Sequence, residues 1–293
     1  MKVIVPQQAL ADNLLCFTTT INGSNGDAGS DLSDDPYVGL NLATHVSDCP
    51  ERVSYNRALL YDCLRASYLN VDSTNKLQHV AQKSELESAN SASSSNISLP
   101  LQFLTQVHST KVVNYTGREN ISIEADGLFT QQLAVPLAIL TADCLPIALA
   151  STVNNESALL HAGWKGLING IIENALEKFT SPRHTISAWI GPGICQRHFE
   201  VGEAVALKFK AYKNCIYPNV EDASLNQESS NNEQKFHINL AKVAEQKLNS
   251  LSLVDIQQSD VCTYCRDDLY SFRQATHLGH HDCGRMATVL VRK

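Results

Sequence analysis

Apolar residues return along the chain in two rhythms. Over 50–66, Val53, Leu60 and Leu64 recur at helical spacing behind Pro50, a residue suited to a first turn, and this predicts a helix. Leu167, Ile168, Ile171, Ile172, Ala175, Leu176 and Phe179 form one apolar stripe and predict a second helix. Asn239, a good cap, precedes Leu240, Val243, Ala244, Leu248 and Leu251, which predicts a third. Short apolar runs at 101–107, 110–115, 157–161, 185–190 and 286–292 predict strands. The run 135–150 (VPLAILTADCLPIALA) is interrupted by Thr141-Ala142-Asp143-Cys144, and Pro146 cannot donate to a sheet ladder. A bulge or break there would present Asp143 and Cys144.

Two segments lack either rhythm. Residues 84–98 (SELESANSASSSNIS) and 219–235 (NVEDASLNQESSNNEQK) are too poor in large apolar groups to fold alone, and predict surface loops within one domain spanning 1–293. Strands and helices mix without a regular βαβ beat, a Gly-rich phosphate loop or an internal repeat. The expected class is therefore α+β, with mixed β-sheets flanked by helices.

Composition narrows the partners. With 23 basic and 30 acidic residues, a net charge of −7 and no Lys/Arg-rich run, the chain is a poor match for nucleic acid or an anionic membrane, and small substrates are expected instead. No apolar run reaches the ~20 residues of a membrane span, and the opening MKVIVPQQALADNLLCF has no export pattern, so a cytoplasmic protein is expected. In that setting nine cysteines point to thiols or metal ligands rather than disulfides.

Three strand ends carry chemistry: His108 in QVH, Asp143 and Cys144 in ADCLP, and His161 in HAGWKG. Two imidazoles and a thiolate can hold zinc and leave a fourth position for water or substrate. On spacing alone, hydrogen-bonded histidines and a buried thiol explain these residues as well. They also suit a cysteine hydrolase, with Cys144 as nucleophile, His161 or His108 as base and Asp143 orienting the imidazole. Elsewhere, Cys262 and Cys265 followed by His280, His281 and Cys283 outline a structural zinc site, or a loop bearing adventitious ligands. His198-Phe199-Glu200 with that C-x-x-C is similar to the zinc nucleobase deaminase signature, except that Val261 stands where the signature has proline.

Longer motifs run in a recognisable order: LNLATHV (40–46) with Pro50 and Asn56-Arg57, QVHST, EADGLFT, LTADCLPIAL, HAGWKG, IGPGI with FEVG, DVCTY, and LYSFR with GRMATVLV. Taken together they resemble the laccase-domain family of purine nucleoside phosphorylases, also called the YfiH or polyphenol oxidase family. The resemblance spans Asn41 to Val291. It implies a YfiH-like fold with α/β/β/α layering. It also implies a cytosolic enzyme that splits adenosine, inosine and methylthioadenosine with phosphate, deaminates adenosine, and has been described as a copper-dependent phenol oxidase.

By the same resemblance, His108, Cys144 and His161 are the metal ligands, with Zn2+ as the expected ion and Cu2+ as the alternative. A zinc-bound water has its pKa lowered to about 7, which suits attack on the purine C6, with Asp143 to orient or deprotonate it. Phosphorolysis needs cations near the ribose, for which Arg57, Lys165 and Arg273 are candidates, with Asn41 as a further substrate residue. Asp126 and Trp164, by default a turn residue and a core residue, stand in family motifs and are expected to shape the pocket. The segment Gln274–Cys283 replaces a shorter, Arg- and Gly-rich turn of the family. The other readings are a multicopper oxidase, which ordinarily needs many histidines, a cysteine-dependent hydrolase acting on cell-wall precursors, and a non-catalytic binding protein.

Overall fold

The computed structural model describes residues 1–22, 32, 34–69, 101–117, 123–218 and 234–293. The expected loop at 84–98 lies outside these residues, as does 219–233 of the second, which gives way to a strand at Lys235. Among the described residues the strands are β1 (Val3–Ile4), β2 (Leu14–Thr19), β3 (Val112–Asn114), β4 (Gly127–Thr130), β5 (Leu137–Thr141), β6 (Leu145–Ser151), β7 (Ser157–Ala162), β8 (Ile186–Ile190), β9 (Glu200–Gly202), β10 (Ile216–Pro218), β11 (Lys235–Ile238), β12 (Asp255–Gln258) and β13 (Met286–Arg292). The α-helices are α1 (Pro50–Leu69), α2 (Trp164–Asn169), α3 (Ile171–Leu176), α4 (Glu203–Ala206), α5 (Leu240–Ser250) and α6 (Phe272–His277).

Strand alternation builds four layers. A four-stranded sheet, β1-β2-β13-β5, packs on a six-stranded mixed sheet, β12-β8-β6-β7-β4-β3, and a small sheet, β10-β11-β9, stands apart. Leu137 and Ile139 of β5 meet Ala148, Leu159 and Trp189 between the two large sheets, whereas Ala138 and Leu140 face Leu60 and Leu64 of α1. Beyond the six-stranded sheet, Ile147 and Leu160 pack on Leu167, Ile171, Val243 and Leu248. The order is thus helix, sheet, sheet, helices, as the α+β class and its resemblance to the α/β/β/α architecture required. Each fully buried Leu or Phe in these layers contributes roughly 1.5–3 kcal/mol through burial of apolar surface.

Most elements fall where periodicity places them, and α1 buries Val53, Leu60 and Leu64 as predicted. Asn239 accepts a hydrogen bond from Lys242 N at 2.9 Å, the cap expected for α5 and a contribution of about 1 kcal/mol. Three readings change. The apolar run at 135–150 is two strands in different sheets, and Ala142-Asp143-Cys144 is the crossing between them. The stripe from Leu167 to Leu176 is two short helices, divided at Gly170, whose φ of 104° is a left-handed conformation suited to glycine. Finally, 101–107 is not a regular strand but carries isolated bridges at Gln102 and Thr105. Past them the side chain of Gln106 takes the place of a backbone ladder, donating to Leu140 O and accepting from Leu140 N, both at 2.7 Å. No helix among the described residues is long and apolar enough to cross a membrane.

Candidate metal centre

Sheet register brings the centre together. In β4 and β7, Gly127 pairs with Leu160, so Asp126 falls opposite His161. In β6 and β7, Leu145 pairs with Ala162, so Cys144 falls opposite Gly163. Alternation along β7 turns Leu159 toward the space between the sheets and Leu160 toward the helices, which aims His161 between the sheets at their open end. His108 arrives from the loop before β3, held by the Gln106 bridge to β5.

The ligand atoms of His108, Cys144 and His161 lie within 4.8 Å of one another. Cys144 Sγ is 3.7 Å from His108 Nε2, and the two imidazoles meet edge to face with centroids 4.7 Å apart. Behind them Asp126 is wrapped by a loop. Its Oδ1 accepts from His108 N (2.9 Å) and His161 Nδ1 (2.8 Å), and its Oδ2 from Ser109 N (2.6 Å), Ser109 Oγ (2.7 Å) and Val107 N (3.3 Å). Converging N–H groups of this kind form an anion nest, and they hold His108 at a φ of 60°, costly for a residue with a side chain. Because Nδ1 of His161 is committed to the carboxylate, Nε2 is left to face Cys144 and any ion.

Charge in the centre is paired. Burial raises the Cys144 thiol, but the His161 charge and the hydrogen bonds of both histidines outweigh it and bring it down to about 6. Burial lowers His161, but the Cys144 charge and the Asp126 hydrogen bond push it up to about 9. Burial likewise raises Asp126, and its bonds from His161 and Ser109 hold it at about 2. In the metal-free chain the first two shifts cancel in proton count: near pH 7.5 the folded state carries one proton on His161 where the unfolded state carries one on Cys144. Their net effect on stability is therefore flat across that window. A metal held here would require the Cys144 thiolate and a neutral His161, and because His161 is raised in the metal-free chain, metal affinity measured by chelator competition is expected to rise as pH rises above neutrality.

Asp143 takes a different part from the one expected in a cysteine-hydrolase arrangement. Its Oδ1 accepts from Thr263 Oγ1 and its Oδ2 from Arg273 N, both at 2.7 Å, and it is Asp126 that orients His161. A φ of 89° at Asp143 marks a backbone held in a strained turn beside Cys144.

The substrate candidates separate. Arg57 Nε donates to Leu42 O at 2.9 Å, and its guanidinium lies 4.3 Å from the Phe103 ring centroid. Lys165 is exposed in the first turn of α2, with Nζ 5.8 Å from the Trp164 ring centroid, and Trp164 packs against the core. Arg273 spends its guanidinium on His198 O and Glu200 O, each at 3.1 Å. Asn41 is fully buried and uses its whole amide on Ala43, Asp48 and Arg285 N. That last bond exposes a residue the sequence reading passed over. Arg285 precedes β13, whose Met286 pairs with Thr141 at the end of β5, and burial together with the charges of Arg285 and Arg57 lowers the His45 imidazole. Arg57 and Arg285, the latter paired with Asp282 at 2.8 Å, thus flank a His45 imidazole pushed toward its neutral form, and the signal for the group was already present in the LATHV and GRMATV motifs.

Cys262 and Cys265 do not gather with His280, His281 and Cys283. They meet Cys195 and His198 instead, while Cys283 is buried with Tyr270 and Met286.

The chain belongs to the family of laccase-domain proteins. The sequence profile of the family described as multi-copper polyphenol oxidoreductase laccase matches residues 67–293. The chain is similar to the purine nucleoside phosphorylase of Haemophilus influenzae, 31% identical with 99% of each chain covered. It is also similar to purine nucleoside phosphorylase YfiH of Escherichia coli, 28% identical over 99% of this chain and 98% of that one. Its fold matches the crystal structure of a Neisseria meningitidis protein with a TM-score of 0.73 at 26% identity, covering 100% of both chains. The fold of YlmD from Geobacillus stearothermophilus also matches, with a TM-score of 0.70 at 20% identity over 99% of each chain. The family read from the motifs is borne out.

Proposed function

We propose that the chain is a zinc-dependent purine nucleoside phosphorylase of the cytosol. It takes adenosine, inosine or S-methyl-5′-thioadenosine with phosphate, and the same centre deaminates adenosine. The observation that carries this reading is the open centre, in which two imidazoles and an ionisable thiol converge while a fixed carboxylate, Asp143, stands beside them. Relatives named purine nucleoside phosphorylase, similar over the full length, support it.

The donor set fits zinc: nitrogen and sulfur ligands, a carboxylate behind one histidine, and a fourth position left free. When bound, zinc supplies Lewis acidity at an oxygen in that position. The protein supplies the rest. In phosphorolysis the C1′–N9 bond breaks, a phosphate oxygen bonds to C1′, and the purine nitrogen gains a proton. Arg57 and Arg285 provide positive charge for phosphate, with His45 a neutral hydrogen-bonding neighbour, and Lys165 is a further cation next to Gly163. Asn41 arranges that group by holding Arg285 N, and Arg273 holds Asp143 as a proton acceptor through its backbone N–H.

A second reading has its own observation: Cys144, His161 and Asp126 stand in the order nucleophile, base and orienting carboxylate. A cysteine hydrolase would show stoichiometric alkylation of Cys144 and amide cleavage that survive chelation. A multicopper oxidase fits less well, since the two donor groups among the described residues contain only His108, His161 and His198.

The test is phosphate-dependent release of hypoxanthine from inosine by His108→Ala and Cys144→Ala proteins with native circular dichroism. Activity is expected to fall by about 100-fold or more. Full activity in both variants, or copper-dependent phenol oxidation without nucleoside turnover in the parent, would overturn the proposal.

A further inference from the structure

A second cluster of soft donors lies apart from the open centre. Cys195, His198, Cys262 and Cys265 place four ligand atoms within 4.8 Å of one another. Three of the contacts meet at one atom: His198 Nδ1 is 3.4 Å from Cys195 Sγ, 3.9 Å from Cys262 Sγ and 3.4 Å from Cys265 Sγ. An imidazole nitrogen offers one proton or one lone pair, so hydrogen bonding accounts for one sulfur neighbour and not three. A tetrahedral ion with Zn–S near 2.3 Å and Zn–N near 2.0–2.1 Å has N···S edges of about 3.5 Å, close to all three.

We propose that these four residues hold a structural zinc ion in a closed Cys3His site. The donors come as two pairs, Cys195-x2-His198 and Cys262-x2-Cys265, the local spacing with which one turn offers two ligands to one ion. The fold presents the pairs to each other through a parallel bridge between Gly193 and Cys262, closed by Gly193 N to Val261 O at 3.2 Å and Thr263 N to Gly193 O at 3.1 Å. The surroundings are those of a ligand shell. Cys195 N donates to Cys262 Sγ at 3.3 Å, as backbone N–H groups do to metal thiolates. Tyr264 stacks on the His198 ring with centroids 4.0 Å apart and planes 13° apart, and its hydroxyl bonds His277 Nδ1 at 2.9 Å, which fixes the direction of the ring.

The position gives the ion a consequence. Thr263, between the two cysteines of the second pair, donates to Asp143 Oδ1, and Arg273, bound to His198 O, donates its N–H to Asp143 Oδ2. The ion ties together the two turns that hold Asp143 against the open centre. All four ligand positions belong to the protein, so the site braces and does not catalyse.

The test separates this ion from the one in the open centre. Full-length Cys144→Ser protein, purified under reducing conditions without added metal, is expected to retain about one equivalent of zinc per chain, with an X-ray absorption shell of three sulfurs and one nitrogen. Cys265→Ser introduced into that background is expected to lose that equivalent and melt several degrees lower. If that variant does not fold, His198→Cys, which supplies a fourth thiolate, is expected to keep both the zinc and the melting temperature. Zinc-free Cys144→Ser protein, or a native disulfide between Cys195 and Cys262 found by mass spectrometry, would overturn the proposal whatever becomes of the phosphorylase reading.

Discussion

Asp126→Asn is expected to lower zinc affinity at the open centre by about 10–100-fold, with turnover of nucleoside falling in step, even though no metal ligand is changed. The carboxylate serves two ends of the centre at once. One oxygen accepts from His161 Nδ1 and His108 N, the other from Ser109 N and Oγ. An amide keeps one acceptor and puts an N–H₂ where the other oxygen stood, facing donors it cannot satisfy. If the remaining oxygen keeps His161 and His108 N, the Ser109 side of the nest opens and the loop that carries His108 loses its second anchor. If the amide turns over, His161 loses its anchor and its tautomer. Leaving buried donors unpaired costs about 1–3 kcal/mol each, so the urea midpoint is expected to fall as well. In the parent, Asp126 titrates at about 2, below its ordinary value, so its contribution is present above about pH 4 and is lost only as pH falls toward 2. Chelator competition and urea titration of the variant check the two effects, and unchanged zinc affinity would show that the ligands alone place themselves.

The layers were legible because burial on one face leaves a period. The helices α1 and α5 lie where Leu60 and Val243 fall in register with a single buried side, and β7, β8 and β13, buried throughout, lie where short apolar runs place strands. Burial on both faces hides which sheet a strand joins. The break at Thr141–Cys144 was legible in its polar residues and Pro146, but every residue of β5 and β6 is buried, so nothing in the pattern shows that the two halves enter different sheets. The open centre was visible as residue types at strand ends, but not as a site, because its closure depends on the register of β4, β6 and β7. Asp126 was noticed only as a turn residue and pocket former, and its grip on His161 follows from pairing across strands. The second cluster was half seen. Partners for Cys262 and Cys265 were sought downstream, at His280 and Cys283, whereas the bridge from Gly193 to Cys262 supplies them from 67 and 64 residues upstream, at Cys195 and His198. A parallel contact across that separation has no local signature.

Gly163→Ala is expected to leave the sandwich folded and to disable the centre. Gly163 has φ −63° and ψ 163°, a conformation open to any residue, so its glycine is not a backbone requirement. The requirement is space. A Cβ at this position would lie 2.8 Å from His108 Cδ2 and 2.9 Å from Cys144 Sγ, two of the three ligand side chains. Neither can yield cheaply: His108 is pinned by Asp126 and by the Gln106 bridge, and Cys144 sits at the crossing between sheets beside the strained turn at Asp143. Overpacking of this kind costs about 1–3 kcal/mol, which a protein of this size survives. Displacement of the ligands by part of an ångström is more serious, because a misplacement of about 1 Å at a reacting centre costs about 100-fold in rate. Phosphate-dependent cleavage of inosine is therefore expected to fall by about that factor, with loss of the zinc proposed for the open centre. The equivalent assigned to Cys195, His198, Cys262 and Cys265 is expected to remain. Metal analysis and circular dichroism of the one variant read both outcomes, and full activity with both equivalents of zinc retained would mean that His108 and Cys144 move apart more freely than their hydrogen bonds imply.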